Sequence, residues 1–219
     1  MRAQLTAVVI DEHEITRRAL RSRCAAQGRV DVIGESDHAE HGSYVVERLV
    51  PTVVIADLVL DPAGTFQLPR LLLARHIHVP VIAFSGLVTR SHVRAAFMAG
   101  ARGVVAKDAP PSVLMRAIEA VVGGTAFVDP EIAILMLDTT GVPSTPLQRD
   151  VLTATASGRD HRSVAIDLQM RECEISACAD LILERISALG APPEIQYALA
   201  VTLQVARPVM TQPLVKRPA

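Results

Sequence analysis

Tryptophan is absent from this chain and aromatic residues make up only 3% of it, so the stacking platforms that single-stranded nucleic acid needs are missing. An excess of one charge is missing as well. The 22 basic residues meet 23 acidic ones for a net charge of −1, and no general attraction to a polyanion follows. No apolar run reaches the roughly 18 residues that a spanning helix needs. The start, Met1 to Leu5, lacks the charged-then-apolar pattern of an export signal, and the apolar run Ala7 to Ile10 stops at Asp11. The expectation is a soluble, cytoplasmic protein with no membrane partner. Cysteine is scarce too: Cys24, Cys173 and Cys178 are an odd number that reads as reduced and packed. Cys173 and Cys178 are poorly spaced for a zinc site, and His76 with His78 reads as a solvated turn.

What the chain does have is apolar residues, 50% of its 219, enough for a sizeable core in one large or two small domains. Through the first 122 residues, short β-rich runs alternate with amphipathic stretches. The strands read are Thr6 to Ile10, Val30 to Gly34, Thr52 to Ala56, Val79 to Ser85 and Gly103 to Ala106. Several are continuously apolar, as a parallel sheet covered on both faces requires. Helices fall near residues 14–27, 39–49, 66–76, 89–99 and 111–122. In the first of these, Ile15, Ala19, Leu20 and Cys24 share a helical spacing that leaves Arg17, Arg18 and Arg21 for solvent. Five strand-then-helix repeats predict a doubly wound α/β domain with a five-stranded parallel sheet over residues 1–124. Glycines and prolines then mark a linker, 125–143, around a short helix at Pro130 to Leu137. Residues 144–206 read as helices only: Leu147 to Ser157, Ser163 to Leu168, Glu172 to Leu189 and Glu194 to Ala206, with Gly158 and Gly190 where C-caps belong. Residues 207–219 hold three prolines and read as a frayed tail.

In an open α/β sheet the functional site lies at the carboxyl ends of the strands. Those ends carry Asp11 and Glu12, then Asp57, then Ser85, then Lys107. Clustered carboxylates repel unless a cation joins them, and oxygen-only ligands favour a hard ion such as Mg²⁺. Asp57 then reads as a carboxylate nucleophile, with Lys107 and Ser85 as donors already in place for phosphoryl oxygens. Singly, each residue has a plain alternative: an acidic pair in a turn, or a solvated lysine. Their convergence at one sheet edge is the signal.

The stretches Val8-Val9-Ile10-Asp11-Glu12-His13-Glu14, Val54-Ile55-Ala56-Asp57-Leu58, Ile82-Ala83-Phe84-Ser85 and Ala99-Gly100-Ala101-Arg102-Gly103-Val104-Val105-Ala106-Lys107-Asp108 resemble receiver domains of the NarL/FixJ group of two-component response regulators. The likeness runs from about residue 6 to 130. It implies a flavodoxin-like receiver fold with Asp57 as phosphoacceptor. It also implies Mg²⁺ held by Asp11, Glu12, Asp57 and the carbonyl of Val59, with Ser85 and Lys107 on the phosphoryl group. The phosphoryl source would be a sensor histidine kinase or a small phosphodonor. Two positions depart from the pattern. Asp61, followed by Pro62, stands where the group carries proline, and Val104 stands where it carries an aromatic switch residue.

Residues 144–200 resemble the LuxR-type helix-turn-helix, from Ser144-Thr145-Pro146-Leu147-Gln148-Arg149-Asp150-Val151-Leu152 through Val164-Ala165-Ile166-Asp167-Leu168 to Ile182-Leu183-Glu184-Arg185-Ile186. The resemblance implies an all-α DNA-binding domain, with Arg162, Arg171, Glu174, Ser176 and Ala177 facing DNA. Where the family's recognition helix usually reads Thr-Val-Lys-x-His, this chain reads Glu174-Ile175-Ser176-Ala177-Cys178. From Arg159 to Gly190, four arginines face six acids, a poor balance for neutralising phosphates. Two readings therefore stand: a transcription regulator, or a signalling protein whose helix-turn-helix acts on a protein partner. A stand-alone enzyme is disfavoured, because the pocket carries no histidine base and no G-x-x-x-x-G-K-[ST] loop is present. The last helix is apolar nearly all round, at Ile195, Tyr197, Ala198, Leu199, Val201, Leu203 and Val205. It predicts a homodimer, the plain alternative being a helix that closes its own domain.

Overall fold

The computed structural model of the chain describes residues 4–58, 67–86, 88–138, 144–188, 191 and 193–205. Five strands alternate with five helices: β1 Leu5–Ile10, α1 Glu14–Gln27, β2 Val30–Ser36, α2 Ala39–Leu49, β3 Val53–Asp57, α3 Leu68–Ala74, β4 Val81–Ser85, α4 Arg90–Ala99, β5 Gly103–Ala106 and α5 Pro111–Val122. Next come β6 Phe127–Val128 and α6 Pro130–Asp138. The remaining helices are α7 Pro146–Ala156, α8 His161–Asp167, α9 Glu172–Ala188 and α10 Pro193–Thr202. The strands pair in parallel in the order β2-β1-β3-β4-β5-β6. Because β1 and β3 are neighbours while β2 lies outside them, the order reverses at β1 and β3. The carboxyl ends of those two strands form the crevice where such sheets place their sites.

Among the described residues the sheet has six strands where the sequence pattern predicts five. The extra strand is two residues long, too short to show any period, and it lies in the stretch read as a linker. Phe127 and Val128 pair with Gly103 and Val104 and put two more buried side chains on the sheet. The same stretch holds α6.

Alternation along the strands sends side chains to two cores. Ala7, Val9, Val53, Ile55, Ile82, Phe84 and Val105 join Leu20 and Cys24 of α1 and Leu114, Ile118 and Val121 of α5. Burial raises the pKa of the Cys24 thiol and likewise that of Cys178, which keeps both as packed, unreactive groups. Helix α1 buries less than its spacing predicts: Ile15 is 83% exposed and Ala19 is exposed. Arg17 turns inward instead, because its guanidinium donates to the Asp11 carbonyl at 2.8 Å and pairs with Glu35. Gly28 closes the helix at φ 63, a conformation that costs glycine little.

The opposite core does not stop at the sheet. Val8, Ile10, Val54, Ala83, Val104 and Val128 belong to one continuous cluster with Ile132 and Leu137 of α6, Leu152 of α7, Ile182 and Ile186 of α9, and Leu199 of α10. Polar contacts also cross between the halves. Arg116 of α5 donates to Thr155 O at the end of α7, at 3.0 Å. Arg185 of α9 donates to the Leu137 carbonyl of α6 at 3.4 Å and, within the helical half, to Gln148 Oε1 at 2.7 Å. At the start of α7, Thr145 and Gln148 form a reciprocal capping box. At its end, Gly158 takes φ 95, in keeping with a C-cap; Gly190 lies outside the described residues. The apolar α10 packs against β6, α9, α7 and α4, and Ile195, Ala198, Leu199 and Leu203 are buried there. Of the two readings of this helix, it is the closing of its own chain that accounts for its apolar surface. No helix among the described residues is long and apolar enough to cross a membrane.

Candidate functional site

Each continuously apolar strand ends on a residue that suits water better than the core, and this puts polar groups at one sheet edge. Asp11 follows β1 directly and is 1% exposed; Asp57 closes β3 and is 6% exposed. Ser85 ends β4, is buried, and pairs in register with Ala106. Lys107 follows β5, and its backbone N–H donates to Ser85 O at 2.9 Å. The lysine bridges the two buried carboxylates: Nζ lies 2.7 Å from Asp57 Oδ2 and 2.6 Å from Asp11 Oδ2.

The Asp57 contact is an aligned hydrogen bond. The Asp11 contact is an ion pair of less aligned geometry, and Asp11 Oδ2 is fully buried. Burial draws the pKa of Lys107 down, but hydrogen bonding and charge from Asp11 and Asp57 outweigh it and leave the pKa raised. Two carboxylates against one ammonium leave the pocket negative. Lone pairs on Asp11 Oδ2 remain for a cation.

The fit to Mg²⁺ is chemical: buried oxygen donors at the ends of adjacent strands, the ligand type that a hard divalent ion prefers. The ligand atoms that fall within 4.8 Å of one another belong to Asp11, His13 and Asp57. Glu12 is exposed, and its carboxylate stands 3.6 Å from His13 Nδ1. Val59, Asp61 and Pro62 lie outside the described residues. Val104 is wholly buried in the sheet, paired with Ala83 and Val128, so no rotating ring occupies that position.

Three residues near the pocket carry no sequence signal. His13 donates its backbone N–H to Asp11 Oδ1 at 2.9 Å, and its ring Nδ1 lies 3.4 Å from the same oxygen. A histidine therefore does stand beside the carboxylates, contrary to the expectation of none. Arg17 holds the Asp11 carbonyl. Arg23 reaches the carbonyls of Lys107 and Ala109, each at 3.3 Å.

Mg²⁺ is expected to stabilise the fold by mass action. At tenfold over its dissociation constant the gain is ~1.4 kcal/mol, or roughly 3–6 °C in Tm for a chain of this size. Thermal unfolding in millimolar Mg²⁺ against chelator measures it, and Asp11→Asn should erase the difference. An unchanged Tm in the native chain would refute the metal assignment.

In the helical half, α8 and α9 are joined by a tight turn in which Gln169 takes φ 54 and Met170 N–H donates to Ala165 O at 2.9 Å, the geometry of a helix-turn-helix. Arg162, Arg171 and Ala177 are exposed, while Glu174 and Ser176 are half-buried. Glu174 reaches back to the Arg171 backbone N–H at 2.8 Å and pairs with its guanidinium at 3.1 Å. These contacts lower its pKa. Glu174 thus caps α9, and the acids it leaves outward are Glu172, Asp180 and Glu184. Glu172, Cys173, Ser176, Ala177 and Asp180 line an open concavity with His161.

Residues 7–119 match the family described as response regulator receiver domain. The transcriptional regulatory protein MctR of Rhizobium johnstonii is 23% identical over 202 residues, covering 90% of this chain and 94% of MctR. The nitrate/nitrite response regulator protein NarL of Escherichia coli is 22% identical over 191 residues, covering 83% and 88%. Among solved structures, the response regulator ChrA of a heme-sensing two-component system aligns with TM-score 0.51 and 25% identity, covering 92% of this chain and 98% of that one. A two-component response regulator RcsB–DNA complex aligns with TM-score 0.56 and 19% identity, covering 92% and 99%.

Proposed function

The chain belongs to the response regulator receiver family, and from that membership we propose that it accepts a phosphoryl group on Asp57 and regulates transcription through its α8–α9 helix-turn-helix. The observation that carries the first half is the bridge of Lys107 between two buried carboxylates on adjacent strands. An Asp57 oxygen attacks the phosphorus of a sensor histidine kinase or a small phosphodonor. The bond from phosphorus to the leaving group breaks, and the leaving group departs with the electron pair. Asp11 and Asp57, with Glu12 and the Val59 carbonyl as the further ligands that the family implies, would hold Mg²⁺, which would supply charge neutralisation for the transferred oxygens. Lys107 then moves from carboxylate to phosphoryl oxygen, and Ser85 donates from β4, so charge developing in the transfer meets donors already in place. This role is that of a cytoplasmic switch rather than a stand-alone enzyme.

The DNA half of the reading rests on the helix-turn-helix geometry and on relatives named as transcriptional regulators. A second reading, a protein partner on α9, is favoured by the outward acids Glu172, Asp180 and Glu184. Salt dependence separates the two. With few basic groups available, log affinity for duplex DNA should fall with log salt at a slope of only about 2 to 4. Asp180→Lys should steepen it by roughly 0.9 if that face meets phosphates. An unchanged slope and affinity would put α9 off the DNA and leave the protein-partner reading. Homodimerisation on DNA, as in the solved structure of two RcsB dimers on two DNAs, is part of the proposal. It requires a surface other than the buried face of α10.

A further inference from the structure

Asp129 is a carboxylate that the phosphoryl reading does not use. It stands between β6 and α6 and is 1% exposed, a costly place for a charge unless every lone pair is committed. Its backbone N–H donates to Val104 O at 2.9 Å, and its carbonyl accepts from Ala133 N–H at 2.9 Å. One side-chain oxygen, Oδ1, accepts the Glu131 N–H at 3.0 Å and so caps α6; the other, Oδ2, accepts the Ala106 N–H at 3.1 Å. Burial pushes the carboxyl pKa up, and the two backbone donors hold it partly back.

A helix cap alone needs one acceptor, and Ser, Thr or Asn serves it as well as Asp. The second oxygen is what demands a carboxylate. An asparagine in the same place would set its amide NH₂ against the Ala106 N–H. What that second oxygen fixes is the Val105–Ala106 peptide, one residue before Lys107. On the other side the same backbone is held by Ser85 O and by Arg23. The lysine's reach to Asp11 and Asp57 therefore starts from a backbone clamped on both sides, one clamp being Asp129.

We propose that Asp129 is a positioning residue of the phosphoryl pocket, fixing the backbone that carries Lys107 through Ala106 and tying that backbone to the first turn of α6. The proposal rests on the phosphoryl reading of Asp57. It supplies a link from the pocket to the helical half that needs no aromatic ring at Val104.

Two variants of the full chain test it, Asp129→Asn and Asp129→Ser. Both keep a cap on α6; the first offers a donor to Ala106 and the second is too short to reach it. Rates of phosphorylation by acetyl phosphate are measured over donor and Mg²⁺ concentrations, with amide hydrogen exchange at Ala106 and Glu131. The expected result is a maximal rate lowered on the order of tenfold in both variants, the scale set by small misplacements of a reacting group. The Mg²⁺ half-saturation should stay put, because Asp11 and Asp57 sit on other strands. Exchange should quicken at Ala106 and stay slow at Glu131. An undiminished rate, or undiminished protection at Ala106, would reduce Asp129 to a helix cap and overturn the proposal. A rate loss matched by an equal weakening of Mg²⁺ binding would mark a general disturbance of the pocket and overturn it too. A native chain that takes no phosphoryl group on Asp57 overturns the parent reading and this role with it; a native chain that does, with unaffected variants, overturns this role alone.

Discussion

Asp57→Asn is expected to take up no phosphoryl group from acetyl phosphate and Mg²⁺, while the native chain gains one group located to Asp57 in fragment mass spectra. Two buried carboxylates share the pocket, so the choice between them must be argued. Asp11 Oδ1 is engaged by the His13 N–H, and the residue is 1% exposed. Asp57 closes the central β3, with β1 on one side and β4 on the other. A phosphoryl group on Asp57 therefore lies between the Asp11 carboxylate and the Ser85 hydroxyl, with Lys107 within reach. A group on Asp11, one strand further from β4, would leave Ser85 behind. Asparagine preserves shape and hydrogen bonding but removes the anionic oxygen that attacks. Equal incorporation in the variant and the native chain would sink the assignment, and incorporation located to Asp11 would reverse it.

Leu137→Ala is expected to cost about 2–5 kcal/mol, the range for emptying a fully buried leucine site, and to do so across the whole chain. Leu137 is 0% exposed in a core that runs from Val8 and Val104 of the sheet to Ile182 and Leu199 of the last helices. A cluster without a break, braced by Arg116 on Thr155 and by Arg185 on the Leu137 carbonyl, couples the unfolding of its two ends. Heat or urea should therefore give one transition, read identically by far-UV signal and by hydrogen exchange in β3 and in α9. The variant should shift that single transition. Two transitions, of which Leu137→Ala moves only the later helices, would mean that the halves fold as separate units.

The alternation of strand and helix through the first half was legible because each strand is a buried apolar run bounded by polar residues, and because helical spacing covers the gaps. Asp11 and Asp57 stood out for the same reason, as acids that stop an apolar run abruptly. Ile15 departs from its expected inward place because spacing marks a helix face but not where the sheet beneath it ends; Arg17 takes that place through a backbone carbonyl. Arg23 and Asp129 were invisible for a related reason. They bind backbone groups far away in sequence, and such contacts impose no pattern on the chain. β6 is shorter than any period. The apolar surface of α10 announced burial without naming what buries it, since a second copy and the chain's own sheet edge offer the same apolar surface.

That sheet edge has a bearing on solubility. A parallel sheet that ends in a bare strand exposes a row of unmet N–H and C=O groups, a template on which another chain can polymerise. Here the outermost strand is two residues long. Phe127 and Val128 are 3% and 0% exposed, and α10 lies against them. At the far side, β2 carries Asp31 and Glu35, charges that discourage a neighbour from stacking in register. The closing helix thus serves as a guard against aggregation as well as a piece of core. Shortening the chain before Pro193 would bare the strand edge against which α10 packs.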